Sequence, residues 1–413
     1  MIKLFPHQDD VLNQTYEHNR VAYYLDMGLG KTFVGSEKMW ELNTPYNILI
    51  CQKSKIDDWK EHFEEHYDYT VIVFDKQKIE MVPPESIIII NYDKVWRRDE
   101  INKLRNFTMM LDESSMIKNE KSKRSKMILK LPAENIILLS GTPTGGKYEE
   151  LYSQLRLLGW DISYKTFIRS YVVREWDEMK AEWNITGYKH VDRLKRKLRT
   201  YGAVFMKTEE VFDLPDQTDI YVKVKATKLY NTFRRDFIIE TPELTLIGDT
   251  PSKAKLYLRQ LAGQYNQNKL DKLRDMMAST NDRLIIFYNF KEEYKRIKQI
   301  ADELEKPVAT ISGDLKDLTA YNNYENSITL VQYQAGAMGH NLQKANKIVY
   351  FSLTDKSILF DQSKKRTHRI GQEKTCFYYY MMTHGSIEWR MLESLRTQTD
   401  YTDELFREEE MRE

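Results

Sequence analysis

The sequence predicts an α/β protein made of two lobes, each a parallel sheet covered by helices. Three observations carry this prediction. Short apolar strands alternate with helical stretches through the first half of the chain, and the same alternation starts again near Asp216. Between the first strand and its helix lies a glycine-bearing loop, Asp26-Met27-Gly28-Leu29-Gly30-Lys31-Thr32. Ligand-contacting residues of such sheets lie just beyond the carboxyl ends of the strands.

In chain order, Phe5-Pro6-His7-Gln8 introduces a helix expected to run to about Asn19, and Arg20 to Leu25 reads as a buried strand. A helix is expected from Lys31. Strands follow at Ile48 to Cys51, Thr70 to Phe74, Ile87 to Asn91, Met109 to Leu111 and Asn135 to Leu139, with a helix from Lys55 to about His66. The stretch from about 147 to 206 reads as a charged helical insert. Beyond it, helices are expected at Lys253 to Leu261, Lys269 to Met277 and Lys291 to Leu304. Strands are expected at Arg283 to Phe287, Val308 to Ile311, Ile328 to Val331 and Lys347 to Phe351. The acidic tail from Asp400 reads as a fraying helix end. The division expected is residues 1–215, including the insert, and 216–413.

With 413 residues the chain is long enough for two or three cores, and 41% hydrophobic with 30% charged residues suits a globular protein. The net charge of +1 means that any nucleic-acid surface is a local patch. Two distant cysteines, Cys51 and Cys376, suggest neither a disulfide framework nor a metal cluster. No apolar run reaches membrane-spanning length and no signal-peptide pattern opens the chain, so a cytoplasmic location is expected. His62 and His66 have the i, i+4 spacing of zinc-protease histidines, but Phe63 stands where that motif needs its glutamate. A solvated helix face is the expected reading of that pair.

The loop is the richest stretch chemically. Phosphate oxygens need several backbone N–H donors at once, which glycines and a helix N-terminus provide. Gly28, Leu29, Gly30, Lys31 and Thr32 would hold a nucleotide's phosphates, Lys31 reaching the β- and γ-groups and the Thr32 hydroxyl holding Mg²⁺. The strict pattern has Gly where Leu25 stands. Gln8, just ahead, could read an adenine edge, since an amide both donates and accepts. The strand at Met109 runs into Asp112-Glu113-Ser114-Ser115, where one carboxylate suits Mg²⁺ and its neighbour an attacking water. The strand at Asn135 runs into Ser140-Gly141-Thr142-Pro143-Thr144, whose hydroxyls can bond that pair on one side and a bound strand on the other.

These segments resemble the superfamily-two helicase core and, within it, the Swi/Snf-type DNA-dependent ATPases. Asp26 to Thr32 is similar to their Asp-Glu-Met-Gly-Leu-Gly-Lys-Thr segment, and Asp112 to Asn119 to their Asp-Glu-x-His-x-Ile-Lys-Asn stretch, with Ser115 in place of the usual His. Phe205 to Pro215 resembles the segment leaving the family's first lobe, with a short insert as in small phage and bacterial members. Gln334 to Leu342 is similar to the Ala-Gly-Gly-x-Gly-x-Asn-Leu loop, with Ala337 replacing a Gly. Asp361 to Gln372, containing Arg366 and Arg369 one helical turn apart, is the strongest match. Asp355 stands where many members carry a Trp near the DNA track.

The resemblance covers nearly the whole chain and leaves no room in it for a nuclease, chromatin-reading or zinc domain. It implies two RecA-like lobes facing a central ATP cleft, with ATP and Mg²⁺ as cofactors. Lys31, Glu113, Arg366 and Arg369 would carry catalysis, and Thr32 and Asp112 the metal. Lys53, Asn91, Thr142, Gln334 and Gly336 would contact nucleic acid, joined by Lys195, Arg196 and Lys197 of the basic insert. An ordinary solvated helix would give the same charge run there. The function expected is an ATP-driven motor on duplex, forked or branched DNA, working with replication or recombination proteins in a phage or bacterial setting. A nucleotide-gated DNA clamp and an RNA helicase are the rival readings.

Overall fold

The computed structural model describes residues 3–75, 77–178, 181–242, 244–336 and 341–406. Two compact units divide it. The first comprises residues up to Phe212 together with the stretch from Gln398 onward, and the second runs from Asp213 to Thr397.

The first unit contains strands β1 (Arg20–Leu25), β2 (Tyr46–Cys51), β3 (Thr70–Val73), β4 (Ser86–Asn91), β5 (Phe107–Asp112), β6 (Asn135–Leu139), β7 (Val172–Asp177), β8 (Glu182–Tyr188) and β9 (Ala203–Met206). Seven of them form one sheet in the order β3-β4-β2-β5-β6-β1-β9, with every pairing parallel. Its strands are near-continuous apolar runs because both faces are covered. Alternate residues fall into two cores. Ile48, Ile50, Met109 and Leu111 pack on one face, and Leu49, Cys51 and Met110 on the other.

The second unit adds β10 (Gln217–Val224), β11 (Ile238–Thr241), β12 (Leu244–Ile247), β13 (Leu284–Tyr288), β14 (Val308–Ile311), β15 (Lys316–Asp317), β16 (Ile328–Gln332), β17 (Lys347–Tyr350) and β18 (Cys376–Thr383). Its sheet runs β10-β18-β17-β13-β16-β14-β15 and is parallel except at β14–β15. Again two cores sandwich the sheet, Ile285 and Phe287 on one side, Ile286 and Tyr288 on the other. The α/β class and the repeated architecture expected from the alternation are what the structure has.

Several elements differ from expectation. The first helix is Pro6–Gln14 and stops short of Asn19, because the Thr15 hydroxyl turns back onto the carbonyls of Val11 and Leu12. The insert is not all helical. Besides helices Tyr152–Leu157, Tyr164–Tyr171 and Val191–Thr200 it contains the β7–β8 hairpin, whose arms are rich in β-branched and aromatic residues, and its end, β9, joins the main sheet. Strands β10 and β18 were not anticipated. The unit boundary lies at Phe212/Asp213, before residue 215, and the tail from Gln398 groups with the first unit. There Tyr401 packs on Tyr148 and Tyr188 and accepts a 2.9 Å bond from the Tyr148 hydroxyl at its carbonyl. A continuous helix, Ile387–Phe406, leads into that contact, so Asp400 and Tyr401 are helical, not frayed. Gly146, at φ +79°, is required beside it, since a Cβ would collide with the Gln398 backbone.

Candidate functional site

The glycine loop sits between β1 and the helix Lys31–Leu42, with Gly28 and Gly30 at positive φ (93° and 76°). Gly30 is favoured on two counts, because a Cβ there would be strained at that φ and would displace the Gln8 amide. Gln8 is buried. Its Oε1 accepts from the Phe5 N–H (2.9 Å) and its Nε2 donates to the Leu29 carbonyl (3.2 Å), so the amide expected to read an adenine braces the loop instead. Asp26 anchors the near side, taking bonds from the Met27 N–H and the Thr208 hydroxyl. The Lys31 ammonium donates to the carbonyls of Leu25 (2.9 Å) and Asp26 (3.0 Å). Thr32 follows it in the first turn of the helix.

The carboxylates lie at the end of the neighbouring strand but one. Asp112 ends β5 and its Oδ2 accepts from the Trp59 indole N–H at 2.9 Å. Loss of water raises its pKa above the ordinary carboxylate value, opposed by the Trp59 donor and the Lys31 charge. Glu113 has φ +55°, a left-handed conformation uncommon for such a residue, and its Oε2 accepts from Ser140 Oγ at 3.3 Å. Gly141 closes the group: a Cβ there would lie 3.3 Å from the Lys31 ammonium. Lys31, Asp112, Glu113 and Ser140 thus gather at the carboxyl ends of β1, β5 and β6. Beneath them Gln154 accepts from the hydroxyls of Tyr24 and Ser114 and donates to the Pro143 carbonyl. Neither Trp59 nor Gln154 was singled out from the sequence. Nothing in local spacing marks a residue that acts through a distant strand end.

The residues expected to touch nucleic acid are scattered. Lys53 is exposed in a turn after β2. Asn91 is buried and caps the helix Tyr92–Val95, its Oδ1 accepting from the N–H groups of Asp93 and Lys94, so it is a structural cap. Thr142 is also buried, and its hydroxyl lacks a hydrogen-bond partner. On the basic helix Lys195 is buried, whereas Arg196 is exposed and Lys197 half-buried, because the helix turns one side inward with Leu194 and Leu198. Lys195 is therefore not a surface cation.

In the second unit Gln334 is exposed in the short helix Tyr333–Gly336 after β16, while Ala337 to His340 of the loop fall outside the described residues. The helix Ser357–Lys364 ends before the two arginines. Arg366 and Arg369 do not share a helical face as expected. The Gln372 side-chain amide takes the Thr367 carbonyl, together with those of Gln343 and Ala345, and folds this segment into turns. The arginines also differ in exposure: Arg366 is 1% exposed, while Arg369 is half-buried and donates to Asn341 Oδ1. Asp355 holds Lys255 and Arg259 at 3.7 and 3.8 Å beside a cavity of about 340 Å³.

His62 does not lie on a solvated face. It packs among Phe33, Trp59, Phe63 and His66 and bonds Ser36 Oγ at 2.9 Å. No group of ligating side chains able to hold a metal through its own cluster occurs among the described residues.

A parallel sheet with a glycine loop after one strand and a carboxylate pair at the end of the next strand but one defines a nucleotide-binding class of α/β protein. The sequence matches the SNF2-related domain over residues 24–282 and the helicase conserved C-terminal domain over residues 268–371. The chain belongs to the SNF2-related family. YwqA of Bacillus subtilis (strain 168), which carries the name of an ATP-dependent helicase/translocase, is 24% identical over 91% of this chain and 45% of its own length. The human DNA annealing helicase and endonuclease ZRANB3 is 21% identical over 94% of this chain and 39% of its own. The chain thus spans less than half the length of these relatives. The solved Sulfolobus solfataricus SWI2/SNF2 ATPase core in complex with dsDNA aligns at TM-score 0.48 and 20% identity, over 97% of this chain and 92% of that one.

Proposed function

We propose that the chain is a DNA-dependent ATPase that hydrolyses ATP to ADP and phosphate in order to move along, unwind or remodel DNA. The observation that carries this reading is the convergence of Lys31, Asp112, Glu113 and Ser140 at the strand ends of one sheet, beside a loop with glycines at its two positive-φ positions. The residues suit ATP and Mg²⁺. A carboxylate deprived of water, with no lysine or arginine at ion-pair distance among the described residues, is a ready cation ligand. Thr32 would complete that site, and the loop amides with Lys31 would hold the phosphates. Mg²⁺, when bound, neutralises charge on the β- and γ-phosphoryl groups.

Glu113, fixed by Ser140, orients a water at the γ-phosphorus and takes its proton as the new P–O bond forms and the bond to ADP breaks. Arg369 is the better candidate for an arginine supplied from the second unit, since Arg366 is buried. DNA as the track is supported by the family and by ZRANB3's name. Exposed Lys53, Gln334 and Arg196 would grip its phosphates. A phage or bacterial setting, in a bacterial cytoplasm with replication or recombination proteins, belongs to the same proposal. No described helix is long and apolar enough to cross a membrane.

The test is ATP turnover with duplex, single-stranded and forked DNA and with RNA, side by side. Stimulation by DNA well above RNA is expected. Equal or greater stimulation by RNA overturns the DNA assignment, and binding without turnover would leave a nucleotide-gated clamp.

A further inference from the structure

The β7–β8 hairpin forms a sheet of its own and is anchored at its base. There Val172 is buried, and the Tyr188 ring packs at a tilt on Tyr148 at 4.5 Å while its hydroxyl donates to Glu149. Its outer part turns the usual pattern inside out. Cross-strand partners share a face, so Arg174, Trp176, Trp183 and Ile185 lie together on one side. Trp176 is 49% exposed, Trp183 56% and Ile185 42%. The two indoles meet edge to face at 5.5 Å, and the Arg174 guanidinium lies 5.3 Å over the Trp183 ring. Glu175, Asp177, Glu182 and Asn184 occupy the other face, where Asn184 donates to Asp177. Strand alternation has thus put the acids on one side and the aromatics with a cation on the other.

An isolated two-stranded hairpin is marginal in water and gains nothing by exposing two tryptophans. We infer that this face is a stacking platform for unpaired nucleobases. Such platforms combine aromatic rings with a nearby cation, because every base has a π-face and every linkage a negative charge. The acids turn away from that charge, and the basic helix Val191–Thr200, with exposed Arg193 and Arg196, begins three residues after β8. Duplex DNA hides its bases in the stack, so the platform would act only where strands are parted.

The inference rests on DNA being the substrate, and the experiment keeps the two apart. Labelled oligothymidylate and an abasic strand of equal length are titrated against the full chain without nucleotide. The abasic strand keeps the phosphates and lacks the π-faces. The wild-type protein should prefer the thymidine strand by about fivefold to about 150-fold. Trp176→Ala with Trp183→Ala should remove that preference while leaving abasic affinity and duplex-stimulated ATP turnover unchanged. Trp176→Phe with Trp183→Phe should retain most of it. Equal wild-type affinity for the two strands, or a preference that survives the alanine pair, overturns the platform and leaves the indoles to a protein partner. Loss of duplex-stimulated turnover in the wild type would instead defeat the motor reading.

Discussion

The two units treat a buried carboxylate differently at Glu388 and at Asp112. In the second unit Glu388 is paired within the protein, while Glu293 is bonded at one oxygen and has no partner at its buried Oε1 among the described residues. Glu388 holds Lys269 at 2.6 Å, both nearly inaccessible, and accepts from the Thr383 N–H. Glu293, beyond β13, takes bonds at one oxygen from the N–H groups of Asn289 and Phe290 and the Ser352 hydroxyl. In the first unit Asp112 has an indole donor and no ion pair among the described residues. A buried charge is costly unless paired, so Glu388 with Lys269 serves the fold, whereas Asp112, which has no such pair among the described residues, is the carboxylate proposed as a cation ligand.

The largest effect expected concerns Arg369, the arginine proposed to act in hydrolysis. Arg369→Ala should keep nucleotide binding and lose about 10³–10⁵-fold in hydrolysis, the range for a cationic finger at the γ-phosphoryl group. Lys31→Ala should lose both binding and turnover. Single-turnover hydrolysis at saturating ATP and DNA reads the difference, and a near wild-type rate for Arg369→Ala would make that residue structural.

The carboxylates themselves come next. Lys269→Met should lower stability by about 3–5 kcal/mol, because it strands Glu388 in a dry interior. Asp112→Asn should abolish turnover and leave stability equal or higher, since it removes a charge whose burial is unfavourable. Urea midpoints of the two variants check the contrast. Equal losses would show that Asp112 is as structural as Glu388.

What was legible in the sequence follows the same division. Strands such as Ile87–Ile90, and the glycine loop with Asp112–Glu113, announce themselves because each is a local pattern with a local cause. β18 was not anticipated although Phe377-Tyr378-Tyr379-Tyr380 is a strand-forming run, because its partners β10 and β17 are brought beside it only by folding. Asn91 caps a helix and Lys195 is buried, neither of which the sequence announces, for a physical reason. A polar residue looks available in sequence, but capping and burial depend on which side of the element faces the core. Trp59 and Gln154 reach the site only through folding, over 53 and 40 residues to Asp112 and Ser114.

A smaller effect probes Trp59. Its N–H lowers the Asp112 pKa, so Trp59→Phe should raise it further. The acid limb of the pH–rate profile should then move to higher pH, because the proposed Mg²⁺ would need the ionised form. An unmoved limb would mean that Asp112 does not titrate in the step observed.

The smallest effect concerns His62, which burial and the neighbouring His66 push down to about 4 from an ordinary 6.5. Between those values the unfolded chain takes up a proton that the folded chain refuses. Acidification from about pH 6.5 to about pH 4 therefore costs stability, and below the folded value both states are protonated and the loss stops growing. Asp112 works the other way, since a raised carboxylate pKa makes the folded state bind its proton first, so absolute stability against pH mixes the two. His62→Gln isolates one of them: it keeps a polar end for Ser36 and removes the titration. The difference in urea midpoint between wild type and variant should shift steadily toward the variant as pH falls through that window, and should be flat above it. Parallel curves would mean that the aromatic pocket accepts the imidazolium and that its packing on Phe33 and Trp59 is looser than the geometry implies.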